Sequence, residues 1–66
     1  MTAINRAELL PDLNRATEAV QFGGVFTPSV SEAVVTRMWQ LYTAMDKDRL
    51  PACRALVDEV LSAAKS

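Results

Sequence analysis

A helix drawn through the middle of this chain carries two apolar rows where a small globular protein can usually cover one. In the segment from Val34 to Met45, the residues Val34, Met38, Leu41 and Met45 fall on one row at helical spacing, while Val35, Trp39 and Tyr42 fall on a second. The two rows lie about 90° apart around the cylinder. Each needs something to lie against. The chain has 66 residues, and a domain that short hides only about 60% of the surface its unfolded form exposes. One row can be covered from within; the other calls for a second copy, a different protein, or both.

The flanking segments also read as helices. Asn5, followed three residues later by Glu8, has the form of a capping box, and Ile4 ahead of the cap can staple onto Leu9. The row Leu9, Leu13, Ala16, Val20 keeps its spacing past Pro11, which predicts one helix kinked at the proline. The alternative is a short turn and a helix that begins at Pro11. Gly23-Gly24 stops this helix, because glycine enters the left-handed region at little steric cost.

The link Val25-Phe26-Thr27-Pro28-Ser29 is apolar for a loop, and Phe26 is expected to be buried against something. Helix two can be capped by Ser29 with Glu32, or by Thr27 with Pro28 at the first helical position. It is expected to run to about Met45, with the turn at Asp46-Lys47-Asp48. Asp48 can cap a third helix that has Pro51 in its first turn, where no helical hydrogen bond is lost. Leu50, Cys53, Val57, Val60 and Ala64 then form a seam widened by Leu56 and Leu61. So short a link sets helices two and three antiparallel, and the Val34-Met38-Leu41-Met45 row is expected to face that seam. The expected fold is all-α: a single domain over residues 1–66 with two to three helices, an αα-hairpin after a kinked N-terminal helix, and a homodimer whose interface takes Leu9, Leu13, Val20 and Phe22.

Chemistry is hard to find. The chain has no histidine, so the usual nucleophile, base and orienting group cannot be assembled. Cys53 is the one strong nucleophile type and falls on the apolar seam, as a structural thiol does. The carboxylate pairs Asp58-Glu59 and Asp46-Asp48 read as solvated charge, a turn and a cap. Gly23-Gly24 lacks the lysine of a phosphate loop. No enzyme activity, cofactor or metal is expected.

Seven basic residues stand against eight acidic ones, a net charge of −1. Arg6, Arg15, Arg37, Lys47, Arg49, Arg54 and Lys65 are scattered, whereas a phosphate-binding stripe needs clustered positive charge. A helix-turn-helix regulator is the alternative reading, from Ala19, Gly23 and the helix opening at Ser29 or Ser31. Its reading face would offer Arg37 and Gln40 and little else that recognises bases. The opening residues lack the apolar run of a signal peptide, and no stretch approaches the roughly eighteen apolar residues of a membrane span. With a lone cysteine, the expectation is a soluble protein of a reducing cytoplasm.

The aromatic row is the expected partner-binding site. Trp39 and Tyr42 lie beside Val35, with Arg37 nearby and Phe26 or Phe22 from the glycine loop on the flank. Tryptophan, tyrosine and arginine are the commonest binding anchors. The competing reading is that helix one covers Val35 and Trp39 within a three-helix bundle.

In its size, acidic helical character and the aromatic helix Val35-Thr36-Arg37-Met38-Trp39-Gln40-Leu41-Tyr42, the chain resembles the small helical anti-activator, anti-quorum-sensing proteins of Pseudomonas temperate phages. That resemblance implies a dimeric inhibitor in the bacterial host cell. It would occlude the DNA-binding part of a host transcription activator (a quorum-sensing regulator) and, through the same scaffold, a pilus-assembly ATPase. Trp39 and Tyr42 are carried over as contact residues by type and placement.

Overall fold

The computed structural model describes residues 4–65. Three α-helices follow one another: α1 (Arg6–Phe22), α2 (Pro28–Thr43) and α3 (Leu50–Lys65), with a short 3-10 turn (Lys47–Arg49) leading into α3. Every pair of these helices is in contact. No strand occurs among the described residues.

Asn5 caps α1 from an extended conformation, its side-chain oxygen accepting from the Ala7 amide at 2.8 Å. This satisfies one of the amides that a helix start leaves without an intrahelical partner. The helix then passes through Pro11 unbroken, so the chain is not a turn followed by a helix from Pro11. Packing of the apolar row holds it together: Leu9, Leu13, Ala16 and Val20 are all buried, and tertiary burial outweighs the local cost of an interior proline. The two glycines that end α1 divide the work. Gly23 keeps helical angles, and its amide donates to the Ala19 carbonyl; a Cβ there would stand 2.4 Å from that same oxygen. Gly24 makes the left-handed turn, at φ 67°.

Thr27 caps α2 with Pro28 at the first helical position, and Ser29 lies inside the helix instead of capping it. The cap works through the backbone, the Ser31 amide donating to the Thr27 carbonyl at 2.8 Å. At the other end α2 stops at Thr43, and Ala44 turns extended, ψ 139°. Met45 therefore leaves the row assigned to it and is 97% exposed. The expected cap at Asp48 is also displaced. Asp46 serves instead, its carboxylate accepting from the Asp48 amide and its carbonyl from the Arg49 amide. An aspartate two residues before an amide closes such a turn on its own, so the 3-10 segment forms first and α3 continues from it.

The core joins Leu9, Leu13, Ala16 and Val20 of α1, Met38 and Leu41 of α2, and Leu50, Cys53, Val57 and Val60 of α3. The α3 seam matches its expected spacing except for Ala64, which is exposed. Leu9, Leu13 and Val20, expected between two copies, are buried within the single chain, so they offer a second copy no surface in this fold. Of that set, only Phe22 is open, at 82%.

Candidate functional site

Both apolar rows of α2 are met from inside the chain. Met38 and Leu41 are buried, and Val34, Val35, Trp39 and Tyr42 are partly buried against the same core. The aromatic pair packs edge to face, ring centroids 5.8 Å apart at 77°, an arrangement that sets the positive edge of one ring against the negative face of the other.

The polar tips of these rings are anchored on α1. The Trp39 indole N–H donates to the Thr17 hydroxyl at 3.0 Å, and that hydroxyl donates in turn to the Leu13 carbonyl at 2.8 Å. The Tyr42 hydroxyl donates to the Arg6 carbonyl at 3.1 Å. Arg6 answers by donating to the Ala44 carbonyl at 2.7 Å, and its Cζ lies 5.8 Å from the Tyr42 ring centroid. A guanidinium at the C-terminal end of α2 meets carbonyls that have no helical partner, and it complements the negative end of the helix dipole. Trp39 and Tyr42 thus dock α1 on α2. This is the arrangement of the competing reading of the aromatic row: both rings are mostly covered, with their polar atoms already engaged.

The other expected contact residues do not join them on one surface. Phe26 is half-buried in the link and packs on the core. Arg37 projects from the opposite, outward side of α2 and is exposed. There it lies with Ser29, Glu32, Ala33, Thr36 and Gln40, which line a shallow open depression of about 450 Å³.

Besides Met45, the large apolar groups open to water lie around the glycine turn. Phe22 at the end of α1 and Val30 in the first turn of α2, 44% exposed, stand on either side of the glycine turn. Val25 and Phe26 between them are half-buried. The Ser31 hydroxyl, within reach of the Val20 and Phe26 carbonyls at 3.5 and 3.4 Å, ties the start of α2 to the end of α1. Phe22, expected at an interface between two copies, is the residue of that set left open to water. The available signal was a large aromatic residue one step before a double glycine, beyond the last position of the buried row.

Ionic groups are organised on the opposite side of α1. Asp12 binds Arg54 of α3 at 2.7 Å and also pairs with Arg15, while Arg54 reaches Asp58 at 3.2 Å. Hydrogen bonds from Arg54 and then Arg15 hold the Asp12 carboxyl below its ordinary value of 3.8, and the Asp12 carboxylate raises Arg54. Burial pushes the Cys53 thiol up, and its sulfur lies 3.5 Å from the Met38 carbonyl. In the folded chain this thiol is closed off from solvent. No cluster of metal-ligating side chains and no unpartnered buried side-chain polar atom occurs among the described residues, and none of their helices is long and apolar enough to cross a membrane.

Comparison of the chain with family models, with curated proteins and with solved structures gives no match.

Proposed function

We propose that this chain is a non-enzymatic interaction module. It acts in the host cytoplasm as an inhibitor that occludes a larger protein, either a transcription activator of the quorum-sensing type or a pilus-assembly ATPase. The observation that carries the reading is Phe22, a large aromatic side chain 82% exposed at the rim of a folded core. Val30 and the half-buried Val25 and Phe26 surround the same turn. An exposed aromatic residue with apolar neighbours is the composition of a binding hot spot. In this reading Phe22 is the anchor, and Trp39, Tyr42 and Val35 hold the scaffold that presents it.

Two features of the architecture belong to the proposal. Helices α2 and α3 are the arms of an antiparallel hairpin, a reading supported by the short link at residues 44–49 and by the contact between the Cys53 sulfur and the Met38 carbonyl. The working species is a homodimer, which suits a chain with a core this small. A purified activator DNA-binding domain and a purified pilus-assembly ATPase, titrated with wild type and with Phe22→Ser, test the function. Binding by wild type and its loss in the variant, with helicity unchanged, is the expected result. If neither protein binds, or if Phe22→Ser binds as wild type does, the proposal fails.

A further inference from the structure

We infer that Met45 is the oxidation site of the folded chain, a thioether that hydroperoxides convert to the sulfoxide before they reach the thiol of Cys53. The inference goes beyond the interaction reading above and does not rest on it.

Among the described residues, sulfur occurs at Met38, Met45 and Cys53, and the fold places these side chains at opposite extremes. Met38 and Cys53 are 0% exposed, whereas Met45 is 97% exposed. The cause lies one residue before Met45. Were α2 to continue a little further, Met45 would fall on the row of Met38 and Leu41. Ala44 turns extended instead, its carbonyl accepting from the Arg6 guanidinium, and the turn closed by Asp46 begins directly afterwards. Met45 is the one residue between these two fixed points, and its side chain is left in water.

Without a fold the order of reactivity is the reverse. An exposed thiol, through its thiolate fraction, takes up oxygen ahead of a thioether. Two features withdraw Cys53 from that order: solvent does not touch it, and burial pushes its thiol up so that thiolate is scarce. A thioether needs no deprotonation, so access alone separates Met45 from Met38.

The step balances with a hydroperoxide as the oxidant. A lone pair of the Met45 sulfur attacks one peroxide oxygen, and the S–O bond forms as the O–O bond breaks. With hydrogen peroxide, the released hydroxide takes the proton of the new S–OH group and leaves as water. Sulfur gives up one electron pair and the peroxide gains it. The product carries a polar S=O group at a position that packs on almost nothing, so the core has no need to adjust. Methionine sulfoxide reductases return such a group to the thioether, which makes the change reversible.

Hydrogen peroxide, added near neutral pH to the full chain in buffer and in urea that unfolds it, tests the inference by quenching at intervals and peptide mass spectrometry. In buffer, Met45 should gain an oxygen atom at least about tenfold faster than Met38 or Cys53 reacts, and helicity should be unchanged when Met45 alone is oxidised. In urea, Cys53 should be consumed first, and Met38 and Met45 should react at similar rates. Oxidation of Met38 or Cys53 in buffer as fast as Met45 overturns the inference, as does loss of helicity on oxidation of Met45 alone. A Met45 that still outpaces Met38 in urea also overturns it, because the selectivity would then belong to the local sequence and not to the fold.

Discussion

The two ends of the α1 and α2 pair are built from different chemistry. At one end the Tyr42 hydroxyl donates to the Arg6 carbonyl and the Arg6 guanidinium to the Ala44 carbonyl, and the one large apolar side chain left in water there is the aliphatic Met45. At the other end Thr27 caps α2 without a side-chain hydrogen bond, Gly24 turns the chain, and Phe22 and Val30 stay in water. The first end spends its aromatic residue on holding the helices together. The second leaves its aromatic residue available. The difference separates the rings of Trp39 and Tyr42, whose polar atoms are bound to α1, from that of Phe22, which stays exposed.

The contrast can be broken at several places. The largest effect is expected at Trp39→Ala, which removes half-buried ring surface and leaves the Thr17 hydroxyl without its donor; a loss of about 2–4 kcal/mol is expected in urea unfolding. A value near zero would mean that the ring does not dock α1. Arg6→Ala should cost about 1 kcal/mol in the same measurement, since an exposed charged hydrogen bond to a helix end is worth about that much. If the loss is the same in high salt, the dipole part of the account is wrong. Gly24→Ala should cost about 1 kcal/mol through the left-handed backbone alone, and Gly24→Asn less.

Acid supplies a smaller and separate probe on the α1 and α3 side. The Asp12 carboxyl is held below its unfolded value by Arg54 and Arg15, so the stability it contributes is fully present above that unfolded value. It is lost as pH falls through the lower, folded one. Melting followed from about pH 5 down to about pH 2 should therefore show a fall that Asp12→Asn reduces. Equal falls in both proteins would show that the bridge between α1 and α3 is not linked to stability. The smallest effect is expected at Phe22→Ser, within about 0.5 kcal/mol of wild type as for other exposed positions. A large destabilisation there would move Phe22 from contact to core.

Much of the fold was legible because it is local. The Asn5 cap, the double-glycine stop, the Thr27-Pro28 start and the spacing of Leu50, Cys53, Val57 and Val60 depend on residues a few positions apart, and each takes the place its physics predicts. Met45 shows where this fails. Its row is continuous in sequence, but Ala44 turns extended where the Arg6 guanidinium reaches its carbonyl, a partner 38 residues away. The same limit applies to Asp12 and Arg54, which are 42 positions apart. The covering of the aromatic row was not legible for a related reason. Periodicity identifies a face but not what covers it, and the Thr17 hydroxyl that binds Trp39 has no signature in the sequence.

Cys53 turns the core into its own clock. The chain has one thiol, and it is fully buried against the backbone of α2. A thiol reagent can reach it only when the helices part, so the rate of labelling in the native protein counts openings of the bundle. No tag or engineered probe is needed for that count, and every variant above that keeps Cys53 carries the same timer.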